Sequence, residues 1–201
     1  MCMDAFEAEC RRLYDDTLHL LRGEASLHDV VAEMPTMPVW LGGVAQTLPV
    51  VEKLARLPAQ TSTKTHAMVQ RIVDLAADLP WQQTYTEAQV GKHYLQNYGW
   101  FNLLSPDGLF ESHSLRISIG VWLKPIFYQE HRHEPEEDYV ILAGGGLFRS
   151  EGCSDRVCGV GDIVHHVSNQ SHSIDMSDSD LLALALWRGG DLMRRATLGG
   201  Q

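Results

Sequence analysis

The apolar residues change their period near Trp100, and that change limits the folds open to the chain. Over residues 4–21, Phe6, Cys10, Leu13, Tyr14 and Leu21 recur near helical spacing among acidic and basic neighbours. A second helical stretch is predicted over residues 44–57, interrupted at Pro49. A third spans residues 65–79 and stops before Pro80, because the residue ahead of a proline is pushed out of the helical region. Thr84-Tyr85-Thr86-Glu87 then leads into a short helix through Leu95. Beyond Trp100, segments 114–121, 137–143, 162–167 and 181–187 read as strands. Most are set apart by Gly, Asn, Ser or Asp, with Val, Ile and aromatics supplying much of their apolar content. Many short strands at close spacing form a sandwich or barrel. The expected fold is mainly β with some α: a helical region over residues 1–80 laid against an antiparallel β-barrel over residues 81–201.

With 201 residues, this is one domain or one domain with a substantial extension. Sixteen basic residues against 26 acidic ones give a net charge of −10. Such a balance argues against nucleic acid, whose phosphates need a basic face, and against anionic membranes. No basic start followed by an apolar run marks a secretory signal, and the longest apolar run, LLALALW at 181–187, is far below the ~20 residues that span a bilayer. A soluble, cytoplasmic protein acting on a small molecule is expected. Cys2, Cys10, Cys153 and Cys158 read as ordinary reduced thiols, since the spacing of the last two fits neither a redox nor a zinc-knuckle pair.

Ten histidines are present, and five of them fall between His131 and His172. The segment Glu130 to Gly146 reads EHRHEPEEDYVILAGGG. Residues two apart on a strand share a face, so His131 and His133 aim together, as do Glu137 and Tyr139. Glu134-Pro135-Glu136 makes a bend that lets the second pair face back beside the first. His172 follows 39 residues after His133, past a Gly161-Asp162 turn. Two or three imidazoles and one carboxylate converging in a barrel make a divalent-metal site with open positions. His165 and His166 are adjacent and cannot both look inward, and both are read as ordinary. So are His19, His28, His66, His93 and His113.

The spacing His131-X-His133-X3-Glu137-X6-Gly144 resembles the first cupin motif, and Gly161-X10-His172 resembles part of the second. A glycine five residues before His131 is absent. Val167, Asn169 and Met176 stand where the second motif usually has Pro, Gly and Asn, which are residues that shape turns. Tyr128, Tyr139 and Trp187 around the motif make the chain similar to the cupin-type dimethylsulfoniopropionate (DMSP) lyases of the DddQ family, over most of its length. That resemblance implies a cupin (double-stranded β-helix, jelly-roll) barrel and β-elimination of DMSP to dimethyl sulfide and acrylate.

By the same resemblance, His133, Glu137 and His172 would hold one divalent ion (Zn2+, Fe2+ or Mn2+), to which the substrate carboxylate binds. His131 would be either a fourth ligand or a hydrogen-bond partner. Tyr139 is the expected base, because a phenol of pKa ~10 becomes basic enough near neutrality when a cation favours its phenolate. Tyr128 is the second catalytic candidate. Tyr128, Trp187, Trp122 and His131 are the expected substrate contacts, since aromatic faces attract a sulfonium. An Fe(II)-dependent cupin dioxygenase uses the same ligands and is the alternative; a non-catalytic binding cupin is the third reading.

Overall fold

The computed structural model describes residues 3–199; Cys2 lies outside them. Four α-helices, α1 (Met3–Arg22), α2 (His28–Glu33), α3 (His66–Leu75) and α4 (Glu87–Leu95), precede ten strands. These are β1 (Tyr98–Ser105), β2 (Phe110–Glu111), β3 (Leu115–Trp122), β4 (Ile126–Arg132), β5 (Glu136–Ser150), β6 (Arg156–Gly159), β7 (Ile163–His166), β8 (His172–Met176), β9 (Leu181–Arg188) and β10 (Thr197–Leu198). They form a curled, mostly antiparallel sheet in the order β10-β4-β8-β5-β9-β3-β1-β2, with β6 and β7 also paired to β5. This is the expected cupin-type barrel with helices ahead of it.

β5 closes the barrel by serving two sheets. Its first part pairs with β7 and β9, and its last part with β6 and β8. The glycines of AGGG sit at the crossover. Gly144 has φ 68°, and a Cβ there would stand 1.8 Å from the Asp180 carbonyl oxygen; at Gly145 it would stand 2.2 Å from that of Cys158. Only residues without a side chain let the strand change partners there.

The alternation of side chains divides the interior in two. Leu115, Ile117, Ile119 and Val121 of β3 and Leu182, Leu184 and Leu186 of β9 pack under the helices, in one cluster with Leu13, Leu21, Leu54 and Ile72. The opposite face carries Trp122, Tyr139, Ile141, Leu181 and Ala183 into the barrel. Burial on both faces explains why β9 reads as an unbroken apolar run. The helical layer is tied together by Arg71 of α3, which reaches Glu9 at 2.6 Å and Asp16 at 2.9 Å on α1.

The helix expected over residues 44–57 is not an α-helix. Only Val51–Arg56 and Pro58–Gln60 form 3-10 turns, while Trp40 and Gln46 pair with Phe110 and Pro80 as isolated bridges. Pro49 interrupts the stretch and lacks the amide hydrogen that a helix would use. α3 ends at Leu75, short of residue 79, because the Trp81 indole N–H takes the Ala76 carbonyl at 2.9 Å and turns the chain. The described cysteines, Cys10, Cys153 and Cys158, are free. No described helix is long and apolar enough to cross a membrane.

Candidate active site

Glu137, on the inner face of β5 and 2% exposed, is the centre of the site. Its Oε2 lies 3.0 Å from His133 Nε2, 3.1 Å from His172 Nε2 and 3.9 Å from His166 Nδ1. Donor atoms of His131, Glu137 and His172 all fall within 4.8 Å of one another. His131, Glu137 and His172, on β4, β5 and β8, thus share one buried group. His133, buried on the loop after β4, joins it through Glu137 rather than as a member of that group.

A bulge makes this possible. The pairing of β4 with β8 slips between Tyr128 and His131, so two residues three apart both turn inward. The Tyr128 ring stacks on His131, with centroids 3.8 Å apart.

Each imidazole is held from behind. His131 Nδ1 donates to the Gln129 carbonyl at 2.8 Å, His133 Nδ1 to that of Pro135 at 2.9 Å, and His172 Nδ1 to that of Gln170 at 2.9 Å. A carbonyl only accepts, so each Nδ1 carries a proton and each Nε2 is turned to the site, that of His133 within hydrogen-bond reach of Glu137 Oε2 at 3.0 Å. That is the usual support of metal-binding histidines. Among the described residues, His172 Nε2 and His166 Nδ1 are the buried side-chain polar atoms with no hydrogen-bond partner. An orphaned imidazole nitrogen beside a carboxylate and further imidazoles is the donor set that a divalent transition metal takes. The residues present fit such an ion.

Electrostatics follow from burial and this crowding. Burial works against the charge of Glu137, yet His133 and His172 together hold its carboxyl well below the ordinary range. Burial likewise opposes charge on His133, and Glu137 outweighs it and raises the imidazole. His131, buried and facing His172, is driven well below its ordinary value. His166 is lowered to about 3 by burial and the neighbouring His172.

His166 is the residue that sequence reasoning set aside. Alternation holds: His165 faces out and bonds Asp138 at 2.9 Å. His166 faces in, pairs in register with Glu137 and stacks on His172 at 3.9 Å. One of two adjacent strand histidines had to look inward, and that was the available signal. Arg116 was also missed. A charged residue in a strand reads as solvent-facing, yet it belongs to the inner face of β3.

A cavity of about 180 Å³ opens beside Glu137, bounded by Tyr139, Tyr128, Tyr98, Trp122, Trp187 and Arg116, among others. It suits a small molecule and falls short of the ~300–1,000 Å³ of typical ligand pockets. Its aromatic end is dense: Trp122 stacks with Tyr128 at 5.7 Å, and the Tyr85 and Tyr128 hydroxyls share a hydrogen bond of 2.8 Å. A Cβ on Gly120 would meet the Trp122 ring at 2.4 Å, so glycine lets that indole lie back along the strand. Tyr139 lines the same cavity; burial, then the charge of Glu137, push its phenol well above the ordinary value. Trp187 has several contacts at once. Its N–H bonds Glu137 Oε1 at 2.6 Å, the His133 ring lies at 4.1 Å, and the Arg116 guanidinium at 4.6 Å.

A family model for dimethylsulfoniopropionate lyases matches residues 23–183. The chain belongs to the dimethylsulfoniopropionate lyase family. It is 30% identical over 169 residues to dimethylsulfoniopropionate lyase DddQ of Ruegeria pomeroyi, a match covering 84% of this chain and 81% of that protein. The solved structure of that DddQ superposes with a TM-score of 0.88 at 28% identity, covering 96% of each chain. A structure reported with the DMSP lyases RdDddP and RnDddQII reaches 0.91 at 29% identity, covering 96% of this chain and 99% of that one. Membership makes this chain a carbon–sulfur lyase.

Proposed function

We propose that the protein cleaves DMSP to dimethyl sulfide and acrylate by β-elimination, with Tyr139 as base and one divalent ion held by His133, Glu137 and His172. The observation that carries this reading is the placement of Tyr139 two residues from Glu137 on one strand face, lining the cavity that the aromatic cluster closes. His131, backed by Gln129 and stacked on Tyr128, would complete the ligand set. When bound, a Zn2+, Fe2+ or Mn2+ ion would supply Lewis acidity, making a carboxylate's α-proton more acidic and favouring a nearby phenolate.

In the elimination, the Tyr139 oxygen takes the proton from the carbon next to the substrate carboxylate. The electrons of that C–H bond form the C=C bond of acrylate, and the C–S pair leaves with sulfur as neutral dimethyl sulfide. Tyr139 enters this step as the phenolate, its own proton having gone to solvent, and leaves it as the neutral phenol. Burial and Glu137 oppose the phenolate, so its formation depends on the cation that the site would hold. Tyr128 and Trp122 face the sulfonium, each ring worth ~0.5–2 kcal/mol to such a cation. Trp187 holds Glu137 in place through its N–H, in addition to its ring contacts. An intracellular site for the reaction accords with the free cysteines.

Anaerobic incubation with DMSP tests the reaction class. Equal amounts of dimethyl sulfide and acrylate, formed without oxygen, are expected. A product that forms only as oxygen is consumed would instead favour the dioxygenase.

A further inference from the structure

Four residues stand side by side across the inner face of the barrel. Arg116 of β3 pairs with Trp187 of β9, Trp187 pairs with Glu137 of β5, and Glu137 pairs with His166 of β7. Residues opposite one another in a sheet share a face, so this row places a guanidinium one indole away from the carboxylate of the site. Along β3 the same inner face continues through Ser118 and Gly120 to Trp122, which pairs with Tyr98. The chamber thus has a charged row at one end of β3 and an aromatic group at the other.

Arg116 is fixed in place without a direct acidic partner, while Asp107 and Glu137 act on its charge from farther off. Its guanidinium lies 4.8 Å from the Trp100 ring and 4.6 Å from that of Trp187. Nε donates to Asn102 Oδ1 at 3.1 Å and to Ser118 Oγ at 3.0 Å, and Nη1 donates to the Leu192 carbonyl at 3.0 Å. Nη2 makes no hydrogen bond, and no ion pair forms at Arg116 among the described residues. Asp107, the other acid lining the chamber, is exposed, and its Oδ1 is held by Asn102 at 3.0 Å and Ser105 at 2.8 Å. An arginine largely withdrawn from water normally has an acidic partner. This one is oriented by neutral groups and keeps one fork open toward the chamber. Guanidinium does not lose its proton near neutrality, so the cation is permanent.

We propose that Arg116 recognises the carboxylate of the substrate and so sets the direction in which the zwitterion lies in the chamber. The inference rests on the lyase reading for the substrate's identity and adds a specificity residue to it. Arg116 takes one oxygen of the carboxylate, leaving the other to the ion that His133, Glu137 and His172 would hold, and repels the sulfonium. Tyr128, Trp122 and Tyr98 receive that cation at the aromatic end. Directed this way, the carbon between carboxylate and sulfonium passes Tyr139, which lies one step along β5 from Glu137 on the same face. A sulfonium lacking a carboxylate loses this anchor, and a carboxylate lacking a sulfonium keeps it.

The test is calorimetric titration of the metal-loaded protein with two half-substrates, acrylate and the trimethylsulfonium ion. In Arg116→Gln, acrylate affinity falls roughly 10- to 100-fold, the size of one charge-assisted hydrogen bond, and trimethylsulfonium binds as well as before or better. KM for DMSP rises by more than kcat falls. Arg116→Met, which keeps an apolar stem between the tryptophans, is read in the same way if the glutamine variant does not fold. Acrylate binding within about twofold of wild type in a folded variant, or no acrylate binding by the wild type, overturns the inference. Arg116-dependent acrylate binding by a wild type that releases no dimethyl sulfide would contradict the lyase reading and leave this one standing.

Discussion

Trp187 donates its indole N–H to Glu137 Oε1 at 2.6 Å, while Glu137 Oε2 faces the histidines. One oxygen is committed to orientation and the other to the site. Supports of this kind are typically worth 10- to 100-fold in metal affinity or activity. Trp187→Phe, which keeps the ring but removes the donor, should lower metal affinity by about that factor with little change in melting temperature. Chelator competition followed by metal analysis measures it, and unchanged affinity would remove Trp187 from the support of Glu137.

His172 and His133 offer Nε2 from rings already fixed through Nδ1. Replacing either by alanine should therefore abolish stoichiometric metal binding, and with it activity. Elemental analysis of the purified variants is the check. A His172→Ala protein that retains a full equivalent of metal would exclude His172 as a ligand.

His166 gives a pH dependence whose sign follows from its lowered value. In the fold it stays neutral down to about 3, while in the unfolded chain it takes a proton near 6.5. Between those limits the unfolded state binds the extra proton, so stability falls as pH falls from ~6.5 toward ~3. In metal-stripped protein this residue contributes a slope approaching ~1.4 kcal/mol per pH unit. His166→Phe should flatten the dependence of urea-unfolding stability on pH in that window, and an unaltered slope would show His166 protonated in the fold.

Gly144 combines a positive φ with a carbonyl oxygen 1.8 Å from where a Cβ would sit. Gly144→Ala must displace backbone at the turn where β5 passes between sheets. A loss of about 2–4 kcal/mol in urea unfolding, or failure to yield soluble protein, is expected. A variant as stable as wild type would mean that the crossover does not depend on glycine.

Strands β3, β7 and β9, the first half of β5, and α1 and α3 were legible because their apolar residues keep one period for several turns or repeats. α4 was legible because Thr86-Glu87 opens a helix that runs to Leu95. The remaining elements were hidden for identifiable reasons. In β1, YGWFNLLS is buried nearly throughout, so no alternation shows. In β4 the bulge shifts the inward set from Tyr128 to His131, and a strict period of two cannot place both in one site. The histidine–glutamate cluster was readable from spacing and resemblance together. Arg116 and His166 needed the cross-strand register, a long-range property that no local window contains.

The central claim is that Tyr139 eliminates dimethyl sulfide from DMSP beside the Glu137 site. Headspace dimethyl sulfide and dissolved acrylate should be measured for wild type and Tyr139→Phe at equal metal content. The account predicts equal amounts of both products from wild type and a rate lower by orders of magnitude from Tyr139→Phe. No dimethyl sulfide from metal-loaded wild type, or near-wild-type release from Tyr139→Phe, would contradict it.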